Sequence, residues 1–267
     1  MGVVGAGLSG LTAARILADQ GHDVVVVDKA RGAGGRMSTR RKGELCFDHG
    51  AQYFTARDPR FLRHVVAWQE RGLVEPWNAR IATMGDRRST GRSKATQRFV
   101  AVPGMNAICH ELAAGLPDCR FEWQLEAAQR EGTGWIMYST DGKQLECDVL
   151  LMTTPPEQAR TLLNDAEVDS LTETVNMMPC WALMITTDTA LFADHDAAFV
   201  NQGPLSWVAA QHSRPGRPTA TAWVLHASPG WSQKHLEENP ETVQNMLLDA
   251  VRELPLTRHF EVTSAVA

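Results

Sequence analysis

The 267-residue sequence predicts an α/β chain in which a parallel-sheet domain is interleaved with a domain built on an antiparallel sheet. Three observations predict it. Val3 and Val4 enter a Gly5-Ala6-Gly7-Leu8-Ser9-Gly10 turn, a helical pattern follows from Leu11 to Ala18, and Val24 to Val27 form an apolar run closed by Asp28. Val149 to Met152 is a second continuous apolar run, ended by Pro155-Pro156, as expected of a buried parallel strand with a helix start behind it. Between and after these lie short alternating or apolar segments separated by Gly and Pro, the pattern of antiparallel strands.

The residue types in the first turn answer to physical demands. Gly5 permits the tight turn, Gly7 lets backbone approach a pyrophosphate, and Gly10 lets helix and strand pack closely. The helix then directs free N–H groups and its positive dipole end at phosphates. Asp28 follows about 20 residues later, where a carboxylate accepts both hydroxyls of an adenosine ribose, so a free 2′-hydroxyl is expected and NADP is disfavoured as the bound dinucleotide. A second glycine-rich loop, Lys29-Ala30-Arg31-Gly32-Ala33-Gly34-Gly35-Arg36-Met37, comes directly after the acid. A plain NAD domain has no need of it, whereas a longer dinucleotide such as FAD gains backbone amides and a guanidinium on the far side of its pyrophosphate. A solvated basic loop is the alternative.

The remaining elements are read in order. Asp58-Pro59 starts an amphipathic helix through Phe61, Leu62, Val65, Val66 and Trp68 that Gly72 ends. Strands are expected at Leu73 to Trp77 and Ile81 to Met84. Asp86 to Arg98 is basic, an exposed hairpin tip or a contact for a negatively charged substrate. Phe99 to Val102 is a strand, and Pro103-Gly104-Met105 leads into a helix through Ile108 and Leu112. Phe121 to Leu125, Trp135 to Tyr138 and Gln144 to Cys147 read as a small antiparallel meander. Helices are expected at Glu157 to Leu163 and Val168 to Val175. Cys180 to Thr186, Ala197 to Val200, Leu205 to Gln211 and Ala220 to His226 read as an antiparallel sheet carrying Trp181, Trp207 and Trp223. Pro229 to Trp231 closes that sheet, and a last amphipathic helix spans Pro240 to Leu254.

Gly5-x-Gly7-x-x-Gly10, Asp28, Gly34-Gly35-Arg36 and Asp48-His49-Gly50-Ala51-Gln52-Tyr53-Phe54-Thr55 together resemble the flavin-containing amine oxidase superfamily, and within it the bacterial renalase-like branch. The resemblance implies a Rossmann-type FAD-binding domain interleaved with an antiparallel-sheet substrate domain. The implied boundaries are 1–57 and 99–165 for the FAD domain and 58–98 and 166–240 for the substrate domain, with 241–267 a helix and tail. It implies FAD as cofactor, held by Gly5, Ala6, Gly7, Leu8, Ser9, Gly10, Asp28, Lys29, Gly35, Arg36, Met37, Gln52 and Tyr53. The substrate pocket would draw on Trp181, Ala182, Leu183, Met184, Trp223 and His226, although ordinary core is an equal reading of the tryptophans. The implied reaction is hydride transfer from a dihydro-NAD(P) isomer, or from an amine, to flavin, with molecular oxygen as acceptor. Family members continue into a further strand and a Gly-Asp turn beside the flavin, which the tail from His259 to Ala267 does not supply. By that comparison the chain reads as C-terminally truncated, and the alternative function is a non-catalytic homologue that keeps a partial dinucleotide site.

Other classes find little support. A net charge of −5 with no chain-long basic stripe points away from nucleic acid. Five scattered cysteines, Cys46, Cys109, Cys119, Cys147 and Cys180, form no CxxC pair and read as reduced thiols of a cytoplasmic protein. No apolar run has membrane-spanning length, and the fold begins at residue 2, leaving no room for a signal peptide. Gly7-Leu8-Ser9-Gly10 lacks GxSxG spacing, and His110-Glu111 and His235-x-Glu237 lack metal-ligand spacing, so a hydrolase or metalloenzyme is not expected. His226, His49 and His212 are the histidines nearest the motifs. Each reads more readily as a structural hydrogen-bonding group than as a catalyst, and no catalytic residue is assigned.

Overall fold

A computed structural model describes residues 1–85 and 96–267. The expected basic segment from Asp86 to Arg98 therefore lies largely outside the described residues. The chain forms two compact units, one of residues 1–38 and 106–177, the other of residues 39–105 and 178–267.

In chain order, β1 (Gly2–Val4), α1 (Leu8–Asp19) and β2 (Val25–Val27) open the first unit. The second unit begins with β3 (Thr39–Lys42), β4 (Leu45–Asp48), α2 (Pro59–Glu70), β5 (Val74–Pro76), β6 (Ile81–Met84) and β7 (Phe99–Ala101). The chain returns to the first unit for α3 (Ala107–Ala114), β8 (Asp118–Arg120), β9 (Leu125–Glu131), β10 (Gly134–Ser139), β11 (Gln144–Cys147), β12 (Leu150–Met152), α4 (Pro156–Leu163) and α5 (Ala166–Thr172). It completes the second with β13 (Ala182–Thr187), β14 (Ala197–Val200), β15 (Leu205–Ala210), β16 (Ala222–Ala227), α6 (Pro229–Lys234), α7 (Pro240–Arg252) and β17 (Val262–Val266).

The first unit has three layers. Its middle layer is a parallel sheet ordered β12-β1-β2-β8, with Val3 paired to Val26 and to Leu151. Strand alternation sends Val3 and Val26 to one face, where they pack with Leu11 and Ala14 of α1 and Cys109 and Leu112 of α3. Val4 and Val27 point the other way, into Leu125, Ala128 and Met137 of the antiparallel meander β11-β10-β9 and Leu162 of α4. Short strands covered on both faces need apolar side chains at every position, which is why these read as unbroken valine runs.

One expectation needs correction. The first strand of the meander is Leu125–Glu131, not Phe121 to Leu125. Glu122 has φ 53°, a left-handed conformation that no strand continues, and the amides of Glu122 and Trp123 donate instead to the carbonyls of Ala30 and Asp28, at 2.9 Å each.

The second unit is built on a sheet ordered β17-β13-β16-β15-β14-β6, in which β14 and β6 pair in parallel and the other neighbours are antiparallel. One face carries Leu183, Ile185, Trp223 and Leu225 against Val243, Leu247, Leu248 and Val251 of α7. On the other, Met184, Ala222 and Val224 meet Phe47 and Leu45 of the β3–β4 hairpin. That hairpin and β17 were not anticipated, and Pro229–Lys234 is a short helix rather than a plain turn. No helix among the described residues is long and apolar enough to cross a membrane.

Candidate functional site

In the first unit the glycine turn carries β1 into α1 beneath the second glycine-rich loop. The Gly34 amide donates to the Ala6 carbonyl at 2.9 Å, and Gly7 and Gly34 form a parallel bridge. The two loops thus meet backbone to backbone. The glycines differ in what fixes them. A Cβ on Gly10 would lie 2.0 Å from the Gly5 carbonyl oxygen, so protein packing alone excludes a side chain there. On Gly7 the nearest atom would be the Gly35 Cα, 3.9 Å away, an ordinary contact. Packing within the chain leaves the Gly7 position open, which is the requirement of a backbone that a ligand approaches.

The helix start fits the same ligand. Gly7 caps α1 with no side-chain hydrogen bond, and the first turn holds no acid. Its N–H groups and positive end are taken up by no side chain of the helix. Asp28, half-buried at the end of β2, takes the Ala6 amide on Oδ2 at 2.6 Å and the Ala30 amide on Oδ1 at 2.7 Å. A carboxylate has about four lone-pair sites, so both oxygens keep capacity for ribose hydroxyls. Ala6 is fully buried, Leu8 and Met37 are half-buried against the sheet, and Ser9, Lys29, Gly35 and Arg36 are exposed. Beneath the second loop Cys109 donates its thiol to the Gly34 carbonyl at 3.8 Å, and burial pushes its pKa up to about 11. It is an unreactive structural thiol.

Gln52 and Tyr53 belong to the second unit, Gln52 in a buried polar cluster around Asp48 and Tyr53 half-buried in an aromatic wall beside it. The Asp48 carboxylate is fully buried and accepts the Thr39 hydroxyl at 2.6 Å, the Met105 amide at 2.9 Å, Arg214 Nη1 at 2.5 Å and Arg217 Nη2. Arg214 donates also to Gln52 Oε1 at 2.6 Å, and the Asp48 amide donates to Gln211 Oε1 at 3.0 Å. Two buried guanidiniums thus share one carboxylate. Burial drives the Arg214 pKa down to about 10 against the opposing pull of Asp48, so the guanidinium stays protonated at neutral pH. Arg214 and Arg217 lie in a segment that reads as a surface turn, and periodicity carries no signal for a buried arginine. The partner acid was visible only as part of the Asp48 to Thr55 motif.

Next to this cluster is a cavity of about 330 Å³ lined by Gly50, Gln52, Tyr53, Phe199, Ser206, Trp207 and His226. Its walls are aromatic. Tyr53 and Trp207 rings lie 5.7 Å apart, Phe199 and Trp207 4.6 Å, and the Arg98 guanidinium sits 5.2 Å over Tyr53. His226 bonds through Nε2 to the His49 carbonyl at 2.8 Å. Burial lowers its pKa, opposed by that bond and assisted by the charges of Arg214 and His49, so the ring is neutral at pH 7.

The expected pocket residues separate. His226 lines the cavity. Trp223 is 1% exposed in the core on the α7 face, edge-on to Phe192 at 5.5 Å, and Leu183 is buried beside it. Met184 packs with Phe47 on the opposite face, and Trp181 donates its ring N–H to the His235 carbonyl at 2.9 Å next to Ala182. Strand alternation explains the split, because Trp207 and His226 pair across β15 and β16 while Trp223 lies three residues away on the other face. Phe199 and Trp207 were not predicted as lining residues. His212 packs edge-on to Trp223 at 5.6 Å, its pKa lowered by burial. Among the described residues no group of three His, Cys, Asp or Glu side chains could hold a metal ion.

Residues 3–67 match the NAD(P)-binding Rossmann-like domain family. The 4,4′-diapophytoene desaturase (4,4′-diaponeurosporene-forming) of Staphylococcus aureus strain Newman is 46% identical over 48 residues, which are 18% of this chain and 10% of the desaturase. The match thus spans about a tenth of the length of the curated relatives. Among solved structures, a candidate protoporphyrinogen oxidase from Exiguobacterium sp. 255-15 aligns with a TM-score of 0.73 at 15% identity, over 99% of this chain and 85% of that one. A putrescine oxidase variant redesigned in cofactor binding aligns with a TM-score of 0.73 at 12% identity, over 98% and 84%. At such identities the likeness shows a shared fold, a mixed α/β architecture with a parallel sheet.

Proposed function

We propose that the chain is an FAD-dependent oxidoreductase acting on a small, planar or amine-bearing molecule, a dihydro-NAD(P) isomer or an amine, with molecular oxygen as final acceptor. The observation that carries it is the double glycine loop: Gly7 left open by packing, an uncapped α1, and Asp28 closing β2 with lone pairs to spare. A single loop serves any dinucleotide, whereas the second loop bonded to it through Gly34 lengthens the cradle. The likeness in fold to a putrescine oxidase and a candidate protoporphyrinogen oxidase supports the same reading.

When bound, FAD supplies a two-electron acceptor for a hydride leaving a substrate carbon. In this reading Asp28 accepts the ribose hydroxyls, the Leu8 to Gly10 amides and the dipole of α1 neutralise phosphate, and Arg36 adds a positive charge from the second loop. Tyr53, Phe199 and Trp207 exclude water and give a planar substrate flat apolar walls. Five free cysteines fit a reducing compartment and a cytoplasmic location.

The test is the visible absorption spectrum of the purified chain after loading with FAD and removal of unbound cofactor. Protein-associated flavin bands are expected. A colourless protein would overturn the proposal, and preferential thermal stabilisation by NAD over FAD would redirect it to a nicotinamide enzyme.

A further inference from the structure

The polar groups lining the cavity of the second unit are almost all committed. Ser206 Oγ donates its hydrogen to the carbonyls of His226 at 3.2 Å and Ala227 at 3.1 Å. Gln52 Oε1 accepts from Arg214 and, at 3.4 Å, from Trp207 Nε1, while its amide nitrogen donates to the Asp48 carbonyl. Among the described residues two polar side-chain atoms of the lining have no partner, the Tyr53 hydroxyl and His226 Nδ1. The hydroxyl can donate or accept. The histidine has no such freedom, because a carbonyl only accepts: the bond to His49 therefore requires the hydrogen on Nε2 and leaves Nδ1 as a bare lone pair. The same bond fixes the ring's rotation.

We propose that His226 is a ligand-binding residue whose Nδ1 accepts a hydrogen bond from an N–H or O–H group on the edge of a planar ring held between Tyr53, Phe199 and Trp207. This rests on reading the cavity as the ligand pocket, and it does not require FAD. The charge around the cavity agrees with an uncharged donor. Asp48, the carboxylate of the adjoining cluster, is fully taken up by Arg214 and Arg217, and the cations facing His226 and the walls are Arg214, on the segment after β15, and Arg98, before β7. A neutral amide or hydroxyl edge meets the lone pair without adding a cation to this set.

The pH dependence follows from the tautomer. Burial holds the His226 pKa down, the bond to the His49 carbonyl opposes it, and Arg214 and His49 are the charged and titratable neighbours that add to the lowering. Protonation would turn Nδ1 into a donor. Binding of a donor-edged ligand is therefore complete above the ordinary histidine value of about 6.5 and is lost as the pH falls through the lowered His226 value.

The experiment compares benzamide with acetophenone, which replaces the amide NH2 by CH3 at nearly constant shape, by calorimetry on the purified chain at pH 8. Benzamide is expected to bind at least ten-fold more tightly, and only benzamide should shift the 15N resonance of His226 Nδ1. In His226→Phe the flat ring is kept but both nitrogens are lost, so the ten-fold preference should disappear, whereas His226→Gln, whose side-chain amide offers a donor for the His49 carbonyl and an acceptor for the ligand, should keep the melting temperature and restore part of the preference. Equal binding of the two compounds, no binding of benzamide, an unmoved Nδ1 resonance or a preference that survives His226→Phe would each overturn the proposal. A chain that holds flavin without this preference loses the histidine assignment alone. A chain with the preference and no flavin loses only the redox reading.

Discussion

Gly7 and Gly10 are the same residue under different constraints, and substitution separates them. Gly10→Ala drives a methyl into the Gly5 carbonyl at 2.0 Å and should unfold the turn, a loss of several kcal/mol read as a collapse of melting temperature. Gly7→Ala meets nothing closer than 3.9 Å, so the stability of the apo chain should stay within about 0.5 kcal/mol of wild type while FAD retention falls by an order of magnitude or more. Both glycines were legible in the sequence as a motif, but only the coordinates tell which one packing requires. Asp48 is the opposite case, a residue legible within a motif whose partners were not. Asp48→Asn leaves two buried guanidiniums without their shared carboxylate and is expected to cost about 3–5 kcal/mol, measured by urea denaturation. Arg214 and Arg217 escaped notice because arginine in the run Arg214-Pro215-Gly216-Arg217-Pro218 reads as a turn between strands, and only the tertiary fold returns that turn to the interior.

Among the elements, those with strong periodicity or unbroken apolar runs were legible: β1, α1, β2, α7 and the strands β13 to β16 lie within a few residues of their expected places. The hairpin β3–β4 was not, since Thr-Arg-Arg-Lys carries no alternation and Leu-Cys-Phe-Asp ends on an acid that is buried only because of its partners. β17, Val-Thr-Ser-Ala-Val, joins the sheet edge beside β13 through backbone pairing that sequence pattern signals weakly. For α7 the pattern has an energetic counterpart. Asn239 caps it by accepting the Thr242 amide at 2.8 Å, and Leu247 is fully buried under the six-stranded sheet. Leu247→Ala should destabilise the chain by about 2–5 kcal/mol, as a lowered urea midpoint with unchanged slope.

At the scale of the molecule, interleaving was legible because apolar strand signals of two kinds alternate along the chain. The boundaries are placed differently, since residues 39–57 and 99–105 group with the second unit, where Asp48 and Met105 find their partners. A cofactor bound to the native chain stabilises the whole by mass action. FAD at 100 times its dissociation constant should add about 2.7 kcal/mol, seen as a concentration-dependent rise in melting temperature, and Gly7→Ala should cut that rise by about half or more at the same FAD concentration.

The bond between Asp48 and Arg214 closes a span of 166 residues. On a ribosome adding about 5–20 residues per second, the carboxylate emerges roughly ten to thirty seconds before its guanidinium exists. Until then Asp48 has no reason to leave water, and the strand that carries it has no sheet to lie on. During synthesis the first unit's sheet is complete once β12 has emerged, while the earlier part of the second unit waits as solvated chain. The order in which this protein is made is therefore not the order in which its interior can close.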